Sequence, residues 1–512
     1  MIAVKGNSYY MHIINKRNNF FYSINKIRRI EKIASKIFKI APGTLMYRAG
    51  KSIFSEIKVR WPKIKNVTII CGNGNNAGDG YVVAFLAHRA KYKVKILQIS
   101  KNDKLIGPAL KAAKICKKLG IMTLSYISAQ ELLDSDLIID GLIGIGLHGT
   151  VNEEFKKLFY LINNCQIPIL SIDIPSGVNG DSGEVIDIAI KANVTVTFIG
   201  IKVGMLLSDA RDYTGEIIVN NLNLPKKIFD LVPPSGEKLC IELEKHLLSP
   251  RKRNVHKGNF GRILVVGGNH GMGGAVRMTG EALLAVGAGL VSIITRPMNA
   301  MAINIARPEI LSYGIDYDYK AIYQLIKRAS IIIIGPGMGT SVWSQQLFDL
   351  IIKSSVPMLI DADGLNILAT RKLYSDNWIL TPHLYEAARL LNEENVYVKN
   401  NKLEAAKKIQ KKFGGVIVLK GSGTIIIGQD NQVAICDNGN PGMAVAGMGD
   451  VLSGIIAGLL AQNLNFLEAA KLGVLLHAIA GDLVSIRDGE IGISAMDIIP
   501  MSRFLVNNLN KR

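Results

Sequence analysis

Cysteine is scarce in this 512-residue chain, and long apolar runs are missing from it. The five cysteines, Cys71, Cys116, Cys165, Cys240 and Cys436, are odd in number, scattered and without a CxxC pair. That excludes a disulfide framework and a cysteine-based zinc site, and it points to a reducing compartment. Apolar runs such as 331–334 and 451–461 fall well short of the roughly 18 to 20 residues that a bilayer-spanning helix requires, so no membrane partner is expected. The start, MIAVKGNSYYMHIINKRNNFFYSINK, carries charge but has neither a continuous apolar segment nor a small-residue cleavage site. Residues 1–23 are therefore expected to be a loose basic extension rather than an export signal, and the chain to be cytoplasmic. Acidic residues are also in deficit: 61 Lys and Arg stand against 41 Asp and Glu, a net charge of +20. No helix or loop gathers those cations with interleaved aromatics, so the excess reads as a diffuse background, without a nucleic-acid partner but suited to substrates bearing several phosphates.

What is present is ordinary for a globular protein, with 48% hydrophobic and 20% charged residues. A chain of this length is expected to form two domains. Apolar β-rich runs alternate with helical patterns twice over. The first series is 67–71, 94–99, 137–140, 169–173 and 194–198; the second is 263–266, 290–295, 331–334, 358–361, 379–381 and 416–419. Continuous apolar strands imply burial on both faces, hence mainly parallel sheets covered by helices, with ligands at the carboxyl ends of the strands. Between the two series, the prolines and glycine of LPKKIFDLVPPSGEKLC break any periodic pattern, which predicts domains over 24–232 and 251–512 joined by a linker over 233–250.

Polar and glycine-rich clusters follow the strands. The run 67–71 leads into GNGNNAGDG (72–80) and then a helical stretch from Tyr81 to Arg89. Glycines there let backbone N–H groups approach a phosphate at a helix start, although a tight structural turn explains many such runs. Asn75, Asn76 and Asp79 add three polar side chains able to fix a ribose, an amide or a cation. Two more strand ends carry Asp140 before GLIGIGLHGT and Asp173 before IPSG. A carboxylate there is costly unless paired, and the plain alternative is that each caps a neighbouring helix. Two carboxylates and an amide facing one crevice would also make a hard-oxygen cation site.

The segments GNGNNAGDG, DGLIGIGL and SIDIPSGVNGDSG, preceded by LMYRAG, resemble the YjeF N-terminal family over residues 24–220. Its enzymes epimerise the 6-hydroxy carbon of hydrated NADH and NADPH. The resemblance implies a Rossmann-like α/β/α domain in which Asn75, Asn76, Ala77, Gly78 and Asp79, with Gly144, Ile145, Gly146, Leu147, His148, Gly149 and Thr150, hold the substrate. It further implies that Asn76, Asp140 and Ser176 bind K+ and that Asp173 is the acid/base. The sequence departs from the family at Tyr47, where an acidic residue is usual, at Ala77 for glycine, and at His148 for arginine, a poorer phosphate clamp.

The second half opens with NFGRILVVGGNHGMGGAVRMTGEALLAVGAGLV (259–291), and four further strand ends carry GPGMG, DADGLN, TPHLYE and KGSGT. In GNPGMAVAGMGDVLSGIIAGLLA (439–461), small residues expose N–H groups just before an apolar helix, an anion hole at its positive end. Asp450 stands in the first turn; helix capping is its plain alternative. The ordered set resembles the ribokinase-like superfamily and, within it, the hydrated-NAD(P)H dehydratases over residues 248–499. The resemblance implies a second, ribokinase-like α/β/α domain, Asp450 as the base, Ala275, Gly337 and His383 on the substrate, and Lys420, Gly421, Ser422, Gly423, Thr424 and Gly449 on the nucleotide. It implies ADP or ATP with Mg2+ as co-substrate and a homo-oligomeric assembly. A small-molecule kinase with a non-catalytic first half remains as the alternative.

Overall fold

The computed structural model describes residues 16–99, 105–125, 132, 134–146, 153–248, 250–316 and 320–509. The chain forms two compact units, Met1–Glu237 and Lys238–Arg512.

In the first unit, seven parallel strands lie in the order Met122–Leu124, Lys93–Gln98, Asn66–Cys71, Leu137–Gly141, Ile169–Ile172, Val194–Phe198 and Glu216–Asn220. The four central strands are buried on both faces, as their unbroken apolar runs require. The winding direction reverses between Asn66–Cys71 and Leu137–Gly141, where Cys71 is opposite Gly141. A crevice opens at such a switch point, beyond the strands' carboxyl ends.

Three features differ from the sequence expectation. The helix after the first central strand is Asn75–Arg89, not a stretch beginning at Tyr81, so most of the glycine-rich segment is helical. Its glycines serve close packing: a Cβ on Gly78 would lie 2.4 Å from Met46 Cε and 3.0 Å from Ala109 Cβ. The expected extension 1–23 ends inside the fold, because Phe20–Tyr22 pairs with Gly236–Lys238 and Ile201–Lys202 and Phe21 is fully buried. The expected linker 233–250 contains that same strand and the short helix Ile241–Glu244. Three-residue strands and single turns carry too few periods to read from pattern alone.

The second unit has the strand order Ile310–Gly314, Leu290–Thr295, Arg262–Val266, Ile331–Ile334, Met358–Ile360, Trp378–Leu380, Val416–Leu419, Thr424–Ile427, Val433–Cys436. It is parallel up to Val416–Leu419, after which the last two strands run antiparallel. Ile331–Ile334 is at most 3% exposed throughout, each side chain contributing about 1.5–3 kcal/mol by burial. Here the switch point lies between Arg262–Val266 and Ile331–Ile334. Among the described residues, Phe466–Asp488 alone is long and apolar enough to cross a bilayer, and two thirds of its most apolar window is buried inside the protein. The apolar runs considered from the sequence missed it because small and polar residues interrupt it.

Candidate active sites

At the switch point of the first unit lies a cavity of about 780 Å³, a size that suits a large small-molecule ligand. Of the residues singled out by sequence, Asn75, Asn76, Asp79, Gly144, Ile145, Gly146 and Asp173 line it. Ala77 does not, being fully buried in the apolar core, and Gly78 is packed against Met46. Leu147, His148, Gly149 and Thr150 lie outside the described residues.

Asp173 stands one residue beyond Ile169–Ile172 with φ 65°, in the left-handed region that costs a non-glycine residue about 1–2 kcal/mol. The turn is held by its N–H donating to the Val196 carbonyl at 2.8 Å. Its Oδ1 accepts from the Phe198 N–H at 3.1 Å, from Thr197 Oγ1 at 3.4 Å, and from Lys202 Nζ. Lys202 is 1% exposed; its other two protons go to Thr197 Oγ1 at 2.9 Å and the Phe198 carbonyl at 3.0 Å. All three ammonium donors are thus used, as a buried cation requires. None of these bonds falls on Asp173 Oδ2, so that oxygen is available to a ligand in the cavity. Burial, then Asp173 and Glu31, push the Asp79 carboxyl well above the ordinary range, and burial and Asp173 raise Glu31. Three acidic groups, Glu31, Asp79 and Asp173, thus share the cavity with Arg28, Lys32, Lys36 and Lys202, and at least two of the three are driven toward the neutral form. Sequence reasoning missed Lys202 and Glu31. Lys202 follows a strand end in TFIGIK, the position that picked out Asp173, but an isolated lysine among apolar residues gave no motif.

Asp140 and Ser176 do not line the cavity and are both fully buried. Asp140 Oδ1 accepts from Ser176 Oγ at 2.5 Å and the Leu142 N–H at 3.2 Å, and Oδ2 from Ser171 Oγ at 2.8 Å and the Ser176 N–H at 2.9 Å. Neither Asp140 nor Asp173 caps a helix. Burial raises the Asp140 carboxyl despite these four bonds. Asn76, against Gly144, has a buried side-chain nitrogen without a partner among the described residues. No group of three or more His, Cys, Asp or Glu side chains is arranged to hold a metal ion among the described residues. Asn76, Asp140 and Ser176 carry hard oxygen donors of the kind that bind such cations.

In the second unit the strand ends converge on Asp361 and Lys420. Lys420 Nζ donates to Asp361 Oδ1 at 2.7 Å, and Ser453 Oγ donates to Oδ2 at 2.7 Å. Burial opposes the Lys420 charge, but Asp361, Glu386 and Asp450 more than offset it and raise the group. Gly335 permits the approach: with φ 123°, a Cβ there would stand 1.8 Å from the Asp361 carbonyl oxygen. The helix Met448–Leu460 begins at Gly447 as its N-cap, so Asp450 is inside the first turn and is not the cap. A Cβ on Gly449 would be 3.2 Å from Lys420 Nζ, placing the helix terminus, the cation and Asp450 together. Burial, then Asp361, push Asp450 up to about 7. Burial and Asp361 carry Glu386 to about 7 as well.

Gly337 touches Ala275, whose Cβ would be 3.0 Å from a Cβ on the glycine. His383 caps Leu384–Leu391, its Nδ1 accepting from the Tyr385 and Glu386 N–H groups at 3.1 and 3.2 Å, while burial and Lys420 lower its pKa. Gly421, Ser422 and Gly423 form the turn before Thr424–Ile427, and Thr424 Oγ1 donates to the Gly421 carbonyl at 3.0 Å. Asp361, Glu386 and Ser453 are the members of this cluster to which the sequence assigned no role, although each stands inside one of its motifs.

Residues 263–502 match the family described as NAD(P)H-hydrate dehydratase, and residues 42–204 the YjeF-related protein N-terminus. The chain is 41% identical over 488 residues to the bifunctional NAD(P)H-hydrate repair enzyme Nnr of Coxiella burnetii, covering 95% of this chain and 99% of that one. It is 37% identical to the enzyme of the same name from Escherichia coli, covering 94% and 93%. Among solved structures, an ADP/ATP-dependent NAD(P)H-hydrate dehydratase from Bacillus subtilis co-crystallised with ATP and Mg2+ aligns with TM-score 0.50 and 27% identity, over 53% of this chain and 98% of that one. A ribokinase-like protein from Enterococcus faecalis aligns with TM-score 0.50 and 28% identity, over 54% and 96%.

Proposed function

Because the chain belongs to the bifunctional NAD(P)H-hydrate repair enzymes, an epimerase joined to a dehydratase, we propose how its own residues divide that work. The observation that carries the reading is one strained or raised carboxylate in the charged cluster of each unit: Asp173 beside Lys202 in the first, Asp450 beside Lys420 and Asp361 in the second.

In the first unit, Asp173 Oδ2 exchanges a proton with the 6-hydroxyl of the hydrate. That hydroxyl sits on a carbon next to a ring nitrogen, so protonation labilises the C–O bond and its return from either face interconverts the epimers. Lys202 holds Asp173 in place, and Asn75, Asp79 and the 144–146 loop hold the rest of the substrate. Asn76, Asp140 and Ser176 would hold K+, which would supply positive charge to the substrate site. Asp140→Asn is expected to weaken cation binding, raising by several-fold the KCl concentration that gives half-maximal epimerisation, with activity recovering at high KCl. An unchanged KCl dependence would assign Asp140 a purely structural place.

In the second unit, Asp450 takes the proton of the 6-hydroxyl while the terminal phosphoryl of ADP or ATP is transferred to that oxygen. Phosphate then leaves with the C5 proton, restoring the dihydropyridine. Gly449 and the 420–424 turn steady the nucleotide, with Mg2+ as its counter-ion; Ala275, Gly337 and His383 contact the substrate. Positioning and electrostatics supply most of the rate. Five unpaired cysteines support a cytoplasmic setting.

The test is to mix both hydrate epimers with nucleotide, Mg2+, K+ and protein and follow the absorbance of the reduced cofactor. Full conversion of both epimers is expected from the whole chain. Residues 238–512 expressed alone are expected to fold and to convert one epimer, leaving the other to spontaneous epimerisation. Equal consumption of both by the fragment would overturn the assignment of epimerisation to the first unit. A nucleotide-dependent product that retains phosphate would favour the small-molecule kinase reading.

A further inference from the structure

The helix Ile24–Lys36 reaches the first unit's cavity with side chains that the chemistry above leaves without a role. Its sequence, INKIRRIEKIASK, holds five cations and a single carboxylate. Lys26 is tied to the Pro233 and Pro234 carbonyls, each at 2.9 Å. Arg28, Lys32 and Lys36 instead line the cavity of about 780 Å³. Their spacing of four keeps them on one side of the helix, and at 1.5 Å of rise per residue they run about 12 Å along its axis. Arg28 donates to the Ile145 carbonyl at 3.3 Å, which sets the start of the row against the 144–146 loop.

All three cations are exposed, and none forms an ion pair with a carboxylate among the described residues. Lys202, the other cation lining the cavity, is taken by Asp173. Glu31, the acid of this helix, feels the Asp173 charge and is raised, chiefly by burial. The row therefore presents three positive charges to the space proposed for the hydrated dinucleotide, without a protein counter-ion of its own. Guanidinium forks and ammonium point charges are the side chains suited to phosphate oxygens. The diphosphate of either hydrate brings two negative charges. A third cation is matched only by a further phosphate, which hydrated NADPH carries on a ribose and hydrated NADH lacks.

We propose that Arg28, Lys32 and Lys36 form the phosphate-binding wall of the epimerase cavity and make it favour hydrated NADPH over hydrated NADH. The proposal rests on the reading of Asp173 above and adds to it the residues that select the substrate. The test follows interconversion of the pure R epimers by chromatography in the absence of nucleotide, with the spontaneous rate subtracted, so that only the first unit is measured. Arg28→Gln, Lys32→Gln and Lys36→Gln are each expected to raise KM for hydrated NADPH about fivefold, the worth of one charge contact near 4 Å in a water-filled site. Because the row lies apart from the proton transfer, kcat should stay within about twofold of wild type. Arg29→Gln removes the same charge from the same helix outside the cavity lining, and its KM should equal wild type. In the triple variant KM should lose most of its dependence on ionic strength. Its ratio of kcat/KM for hydrated NADPH over hydrated NADH, above one in the wild type, should fall to about one. Wild-type KM in the three single variants, an equal rise in Arg29→Gln, or a ratio unchanged by the triple substitution would overturn the proposal. Asp173→Asn in the same assay separates the two failures: normal interconversion there sinks the reading of the site itself, whereas its loss beside row variants of wild-type KM sinks only this inference.

Discussion

Asp450→Asn is expected to abolish dehydration while leaving nucleotide affinity nearly intact. The amide keeps the shape of the carboxylate, and the hole beside it is built from backbone N–H groups, so what is lost is the acceptor for the 6-hydroxyl proton. Loss of a general base costs about 100- to 10,000-fold in rate, to be read as the initial velocity with the pure S epimer at saturating ADP or ATP. Turnover within tenfold of wild type would remove Asp450 from the mechanism. The pH dependence is a second signature. Burial and Asp361 hold Asp450 at about 7, and a base acts when deprotonated, so kcat/KM should rise with pH up to about 7 and level off above it. Glu386 is raised to a similar value, and Glu386→Gln distinguishes the two by leaving that limb in place if Asp450 is responsible. The same shift has a stability sign. A carboxyl whose folded pKa lies above its unfolded value binds the extra proton in the native state, so its contribution is present below the unfolded value and lost as pH rises toward 7. Asp450→Asn removes that dependence and should have a Tm above wild type at pH 8.

Asp173→Asn is expected to remove epimerisation, again by about 100- to 10,000-fold, without unfolding the first unit. The amide oxygen can still accept from Lys202, so the buried ammonium keeps a partner. The assay starts from the pure R epimer with an intact dehydratase half as reporter, and wild-type rates would make the first unit a binding module. Lys202→Met should also remove epimerisation but by a different route. It leaves Asp173, Asp79 and Glu31 without their shared cation, and breaking a buried pair costs about 3–5 kcal/mol. A lowered Tm in Lys202→Met beside a near-normal one in Asp173→Asn would show that one residue positions and the other reacts.

Both carboxylates were legible from their setting: Asp173 ends an apolar strand, where chemistry gathers in parallel sheets, and Asp450 opens an apolar helix behind small residues. Asp173 and Asp450 could be named with their neighbours because IPSG and GMGD are contiguous. Lys202 reaches Asp173 across 29 positions, Lys420 reaches Asp361 across 59, and Ser453 reaches it across 92. No local pattern records such pairings.

The sequence by itself determined the two-unit α/β architecture, since runs such as 331–334 and 263–266 are apolar on both faces and so belong inside a sheet covered by helices. It also placed the functional segments at strand ends. Tertiary structure alone decided which residues of those segments face a cavity: one helical start sends Asn76 and Asp79 toward the cavity and Ala77 and Gly78 into the core, because neighbours on a helix point about 100° apart. It alone decided where the charges lie as well, because a pKa is set by burial and by partners brought in from distant strands, and neither exists until the chain has folded.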